Sequence, residues 1–254
     1  MKPGRVLEFL WRRATKGDTL AGLLALRELG TLITPNYRWV YPQIAWWDNA
    51  AFNAFLARFD ELDALNTDRK WMVAQLARLA RAVPGDTAEC GVFRGASSWL
   101  LCRSNQGTGK THHVFDSFEG LSEPGAGDGT HWRKGNLSFP EQGVREALKD
   151  FPDVRYWKGW IPARFDEVSD RAFSFVHIDV DLEAPTRDSL AFFYPRLSEG
   201  AVLVCDDYGF TSCPGATRAC DEFLRDKPEK MLSLSGGGGF FIKGRAVAPQ
   251  FGEE

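Results

Sequence analysis

The chain lacks the features that would mark it as secreted, membrane-spanning or nucleic-acid-binding. Its five cysteines, Cys90, Cys102, Cys205, Cys213 and Cys220, include no CxxC pair, and an odd number cannot pair fully. That argues against a disulfide scaffold and for reduced thiols in a cytoplasmic protein. No segment approaches the roughly 20 consecutive apolar residues of a spanning helix. The first 13 residues, interrupted by Glu8, lack the apolar length and cleavage site of a signal peptide. Neither sign of charge dominates: 31 Lys and Arg stand against 34 Asp and Glu, a net charge of −3. This leaves no basic footprint for nucleic acid or an anionic membrane. Internal repeats and low-complexity linkers are missing too, and so is the GxGxxG fingerprint of dinucleotide-binding folds.

What is present divides into two regions. Residues 1–66 contain no clear strand and are rich in aromatics: Trp11, Tyr37, Trp39, Tyr41, Trp46, Trp47, Phe52, Phe55 and Phe59. Such residues need a surface to be buried against, either a lid and subunit contact or one face of the same domain. Residues 67–254 alternate helical and extended patterns. Asp68 reads as the N-cap of a helix with Met72, Gln75, Leu76, Leu79 and Val83 on one face, stopped at Pro84-Gly85. Strands follow at 87–92, 112–115, 154–158, 173–178 and 201–205, with helices at 96–104, 185–197 and 215–226. Two closing strands, 231–234 and 240–243, are separated by too few residues for a helical crossover and should pair antiparallel. The expected architecture is α/β: a doubly wound, mostly parallel sheet with helices on both faces and an antiparallel strand near one edge. In such folds ligands sit beyond the carboxyl ends of the strands.

Chemistry-bearing residues stand at those ends. The first strand runs into Glu89-Cys90-Gly91-Val92-Phe93-Arg94-Gly95-Ala96-Ser97. Its glycines permit a sharp turn, and the helix that follows presents free N–H groups to an anion such as an amino-acid carboxylate. Asp116-Ser117 ends the second strand, 21 residues beyond Gly95, where an acidic side chain either binds ribose hydroxyls or caps a loop. Trp160, after Lys158-Gly159, either stacks on an adenine or packs in the domain. His177-Ile178-Asp179-Val180-Asp181 and Cys205-Asp206-Asp207 each follow a buried strand. If those strands are neighbours, their carboxylates converge and repel. Hard oxygen ligands of that kind suit Mg²⁺ or a similar ion, which lowers the pKa of a bound hydroxyl. Helix capping is the plain alternative for these aspartates, and a core hydrogen bond is the plain role for His177.

The segments AECGVFRGAS, FDSFEGL, KGWIP, HIDVDL, FFYPRLSEGAVLVCDDYG and PGATRACDEF, in this order over about residues 68–245, resemble the macrocin O-methyltransferase family, sugar O-methyltransferases of antibiotic pathways. The core is also similar to that of the more distant catechol O-methyltransferases. The resemblance implies a seven-stranded class I methyltransferase sheet that binds S-adenosyl-L-methionine. Glu89, Gly91, Gly95 and Ser97 would shape the pocket for its methionine part. Asp116 would hold the ribose, with Ser117, Gly159 and Trp160 at the adenosine. Asp179, Asp206 and Asp207 would ligate Mg²⁺, or Mn²⁺ in its place. The catechol enzymes carry a catalytic lysine three residues after the first metal aspartate, where this chain has Leu182. The sugar enzymes use the first aspartate instead, so the resemblance implies that Asp179 is base as well as ligand, with His177 and Asp181 as alternatives. Glu183 stands where the family usually has a tyrosine. The implied substrate is a hydroxyl of a sugar or glycosylated small molecule, and the implied assembly a homodimer with residues 1–66 as lid and contact. Two competing readings remain: an NAD-dependent oxidoreductase, disfavoured by the missing fingerprint, and a catalytically silent scaffold, disfavoured by the crowded aspartates.

Overall fold

Seven strands form one sheet in the order β3-β2-β1-β4-β5-β7-β6 in the computed structural model, which describes residues 3–33, 45–61 and 66–248. Five are parallel: β1 (Asp86–Cys90), β2 (His112–Asp116), β3 (Val154–Lys158), β4 (Phe173–Ile178) and β5 (Leu197–Cys205). The closing strands β6 (Leu232–Ser233) and β7 (Gly239–Ile242) pair antiparallel, as their short connection requires.

Continuous apolar strands need cover on both faces, and the core residues show it. Adjacent side chains of one strand point to opposite faces, and Val114 and Phe115 of β2 fall into different clusters. Phe115 packs with Cys90, Ile178 and Leu203, under Leu190 and Phe193 of α7 (Glu183–Phe193) and Cys220 and Leu224 of α8 (Pro214–Leu224). Val114 packs with Val154, Cys102 of α5 (Ala96–Asn105) and Val144 of α6 (Glu141–Ala147). The sequence pattern does not announce α6: it has seven residues, includes Gly143 and buries only Val144. The strand limits agree with expectation to within a few residues, β1 stopping at Cys90 rather than Val92. All five cysteines are buried and unpaired.

The helix before β1 departs from expectation. It is α4 (Thr67–Ala80), with Asn66 at the N-cap and Asp68 inside the first turn. Its buried face is Lys70, Val73, Leu76, Ala77 and Ala80, and Leu79, expected on the core side, is exposed. The buried face keeps Val73 and Leu76, takes small Ala77 and Ala80 beside them, and leaves Leu79 outside. A lysine therefore occupies a core position of an amphipathic helix.

The chain separates into two compact units, residues 1–49 and 50–254. In the first, α1 (Pro3–Lys16) and α2 (Thr19–Ile33) pack through Val6, Phe9, Ala21 and Ala25. Asp18 accepts from the Ala21 N–H at 3.0 Å at the start of α2. α3 (Ala50–Arg58) belongs to the second unit, where Phe55 lies 5.3 Å from the Trp99 ring of α5. Tyr37, Trp39 and Tyr41 lie outside the described residues. Among the described residues no helix is long and apolar enough to cross a membrane.

Asp86, at the start of β1, ties three strands together. Trp157 Nε1 donates to His113 Nδ1 (3.2 Å), which leaves the His113 Nε2–H to donate to Asp86 at 3.1 Å. The Thr111 N–H donates to the other carboxylate oxygen at 2.9 Å. Burial alone raises this carboxyl, but the bonds from His113 and Thr111 and the charge of Arg171 outweigh it, so its pKa lies below the usual value. A carboxyl depressed on folding stabilises the fold above its unfolded pKa of about 3.9, and that contribution is lost as pH falls through the lower folded value. Urea midpoints measured from pH 6 down to pH 3 should therefore fall more steeply in the native protein than in Asp86→Asn. Parallel curves would contradict this account.

Candidate functional site

The carboxyl ends of β1, β2, β4 and β5 open into one cavity of about 650 Å³. This is the usual size for a small-molecule site, at the point where the strand order reverses. One backbone hydrogen bond beyond each strand holds the ends in register. The Gly91 N–H donates to Phe115 O, Asp179 to Cys90 O, Asp206 to Ile178 O and Gly159 to Asp116 O, all at 2.8–2.9 Å. Gly91 adopts φ +77°, and a Cβ there would lie far inside contact distance of the Asp179 carbonyl. Only glycine lets β1 leave the sheet while β4 passes this close.

The structure brings nearly all the expected residues to this cavity. Glu89, Gly91, Ser97, Asp116, Ser117, Gly159 and Trp160 line it, with Asp179, Asp181, Asp206 and Asp207. Gly95 does not. With φ +85° it starts α5, and its α-carbon faces Val144. His177 is also off the wall. It is fully buried, paired in register with Glu89, and bonded through Nδ1 to Glu89 Oε1 at 2.8 Å. Glu89 also accepts from the Ser98 hydroxyl, which touches His112 Nε2 at 3.0 Å. Burial, with the neighbouring His113 and His177, pushes the His112 pKa down to about 3, so this buried imidazole is neutral.

Asp116 turns both oxygens on the backbone, accepting from Val92 (2.7 Å) and Phe118 (2.6 Å). It thus shapes two turns while still facing the cavity with lone pairs to spare. Burial raises its pKa against those hydrogen bonds. The Ser117 hydroxyl donates to Gly120 O at 2.9 Å, and the half-exposed Trp160 ring donates through Nε1 to the same carbonyl at 3.2 Å. These contacts fix the rim around residues 116–120 and 159–160.

At the other end, oxygens of Asp179, Asp206 and Asp207 lie within 4.8 Å of one another. Burial, then the charge of Asp179, raises the Asp207 carboxyl. Burial, then Asp207 and Asp179, raises that of Asp181 further. Such crowding favours protonation unless a cation shares the site. Arg69 supplies one positive charge, through an ion pair with Asp206, and its guanidinium stacks 4.8 Å from the Phe210 ring. The donor set is all hard oxygen, compactly spaced, and fits a small divalent cation.

Unsatisfied polar atoms gather here. Among the described residues five buried side-chain N or O atoms lack a partner, and four of them belong to Asn66, Arg69, His177 and Asp181. Asn66, Arg69 and Asp181 line the cavity, and His177 Nε2 sits 3.6 Å from Asp206. A protein leaves such groups unpaired where a ligand completes them.

The residues that sequence reasoning missed are Arg69, Lys70, Asp128 and Arg218. The signal for the second was a lysine three, six and seven residues before Val73, Leu76 and Ala77, on the buried face of α4, with Arg69 next to it. Asp128 accepts from the Gly125 N–H and from the first N–H of α7, at Glu183, both at 2.7 Å. Glu183 is off the cavity wall and forms an ion pair with Arg218, which donates to Gly127 O at 3.1 Å. These bonds fasten the loop whose Leu121, Ser122, His131 and Trp132 roof the cavity.

The sequence profile of the macrocin-O-methyltransferase (TylF) family matches residues 70–233, which spans β1 to β6 and includes Glu89, Asp116, Asp179, Asp206 and Asp207. The chain belongs to this family. It is 33% identical over 152 residues, 54% of its length, to the 8-demethyl-8-(2,3-dimethoxy-alpha-L-rhamnosyl)-tetracenomycin-C 4'-O-methyltransferase of Streptomyces olivaceus. The matched part is 58% of that enzyme's length. It is 29% identical over 179 residues to the demethyldecarbamoylnovobiocin O-methyltransferase of Streptomyces niveus, covering 64% of this chain and 68% of the relative. The O-methyltransferase NovP superposes with a TM-score of 0.61 at 26% identity, over 75% of this chain and 88% of that one. A calicheamicin methyltransferase shares the fold, with a TM-score of 0.64 at 17% identity over 82% and 95% of the two chains.

Gly91→Ala should cost on the order of 3 kcal/mol or more, because backbone has to move to admit one methyl group. Gly107→Ala is the control: it has a similar φ of +75° with open space around it, and should cost about 1–2 kcal/mol for the left-handed conformation alone. Chemical denaturation of both variants checks the difference.

Proposed function

We propose that this family member is an S-adenosyl-L-methionine- and Mg²⁺-dependent O-methyltransferase acting on a hydroxyl of a sugar or glycosylated small molecule. The observation that carries the reading is the joint position of Ser97, Asp116 and Trp160 with the Asp179–Asp206–Asp207 trio around one cavity. The first three suit an amino-acid nucleoside, and the trio suits a cation that collects a hydroxyl. The chain's similarity to methyltransferases of rhamnosylated tetracenomycin and of mycinamicin III supports a glycoside acceptor.

When bound, the cofactor supplies an electrophilic methyl group and the cation, Mg²⁺ or Mn²⁺, makes an acceptor hydroxyl more acidic. The chain does the rest. The start of α5 and Glu89 hold the methionine end, Asp116 and Ser117 the ribose, and Trp160 the base. Asp206 and Asp207 hold the cation together with Asp179, which also accepts the hydroxyl proton at a carboxylate oxygen. His177 steadies Glu89 from behind the wall. Asp181, its Oδ2 free of partners, is the alternative acceptor. The roof residues His131 and Trp132 contact the acceptor. Positioning of hydroxyl and methyl group in line contributes most, up to about 7–11 kcal/mol in the best intramolecular comparisons.

Titration calorimetry with S-adenosylhomocysteine, with and without Mg²⁺, tests the cofactor, and micromolar binding is expected. Asp179→Asn, Asp206→Asn and Asp207→Asn should each lower methyl transfer to a glycoside acceptor at least ~100-fold, while weakening S-adenosylhomocysteine much less. Full turnover by all three variants would refute the cation site.

Buried unpaired cysteines fit work in the cytoplasm. Residues 1–66 are read as lid and dimerisation element. The exposed Leu7, Leu10 and Trp11 of α1 and Leu26 and Leu29 of α2 support a subunit contact. Sedimentation should show a dimer that Leu7→Glu/Leu10→Glu dissociates, and a native monomer would count against it.

A further inference from the structure

Lys70 is a buried cation of this site that the reading above does not use. It sits in the first turn of α4, its side chain only 6% exposed, and it lines the cavity. Burying an ammonium is costly unless it is paired with an anion and its three N–H groups have acceptors. Lys70 Nζ makes one hydrogen bond, to the Ser97 hydroxyl at 2.9 Å. The carboxylate it approaches is Asp179, at 3.9 Å, too long for a hydrogen bond. Asp179 also shares its charge with Asp206 and Asp207, as part of the cluster that calls for a cation of its own. Once a cation occupies the trio, Lys70 is left with donors to spare and no anion.

Ser97 stands in the first turn of α5, where the free backbone N–H groups and the positive end of the helix dipole face the same space. Lys70 and this helix start thus form a doubly positive corner. The acidic Glu89 lines the same cavity. That polarity, positive at Ser97 and negative at Glu89, matches an amino acid in its zwitterionic form.

We propose that Lys70 binds the α-carboxylate of the cofactor's methionine moiety, making an ion pair that Ser97 and the start of α5 complete. The inference rests on the S-adenosylmethionine reading. It makes Lys70 a cofactor-binding residue delivered by α4, outside the β1–α5 turn where sequence reasoning placed that function. It also accounts for a lysine in the core-facing stripe of that helix.

The test compares S-adenosylhomocysteine with its α-carboxamide, which keeps the size and the amino group and removes the negative charge. Both are titrated into the native protein, Lys70→Met and Lys70→Arg, after thermal unfolding has shown each variant folded. A charge-assisted hydrogen bond predicts that Lys70→Met weakens S-adenosylhomocysteine roughly 10- to 150-fold. The same change should leave the carboxamide within about threefold, so that the native preference for the acid disappears. Lys70→Arg, which keeps the charge, should recover part of the preference and serves if the methionine variant fails to fold. Equal weakening of both compounds would reduce Lys70 to a shape-keeping role and overturn the inference, as would no weakening of either. A native protein that binds neither compound would overturn the methyl-transfer reading, and this inference with it. Native binding followed by equal losses overturns the inference alone.

Discussion

The contact between the backbone at Gly91 and the Asp179 carbonyl is the constraint on which the site depends. It occurs where β1 and β4 part company, so a crevice must open immediately beyond it. Because β1 turns away there, Ser97 is placed at a helix start and Asp116 receives the Val92 N–H. Because β4 continues past, Asp179 and Asp181 come beside Asp206 and Asp207 at the end of β5. A methyl group at position 91 would push these two halves apart, and with them the groups that have to act together.

The electrostatics follow from that closeness. Acidic side chains crowd one end of the cavity, with Arg69 and Lys70 of α4 as the cations set against them. Burial and mutual repulsion raise Asp181 and Asp207, and four buried polar atoms near them lack partners. An interior arranged for stability alone would pair or exclude such groups. Behind the wall the pattern eases: Glu89 accepts from the Ser98 hydroxyl and bonds to His177 Nδ1, the neutral His112 adds no charge, and His177 Nε2 is the one unpartnered atom of that layer among the described residues. The site is a strained polar surface backed by a relaxed polar core.

Much of this was legible in the sequence. FSFVHI and AVLVC read as buried parallel strands because they are mostly apolar, without alternation of charged residues, and aspartates directly after such strands have few places to go but the crevice. What escaped was orientation. The pattern of α4 was read from its large apolar residues, which put Leu79 on the buried face and left out Lys70, Ala77 and Ala80. Gly95 was expected to shape the methionine pocket, and it stands at the start of α5, next to Ala96 and Ser97 of the cavity wall and not in that wall itself. Asp128, Glu183 and Arg218 are far apart in the chain and meet only through the fold, so no local pattern reveals them.

That last group separates two jobs. The loop over residues 121–132 is fastened to α7 and α8 by Asp128 and by the Glu183–Arg218 pair, and none of these bonds reaches the strand ends. That fastening does not involve the β1–α5 turn, and of the roof side chains Trp132 reaches toward the aspartates, donating through Nε1 to Cys213 Sγ at 3.2 Å. A lineage that keeps Gly91, Asp116 and the three aspartates can exchange this roof and so move from one acceptor to another by drift in a loop. The chemistry is inherited with the sheet, and the choice of substrate evolves at its margin.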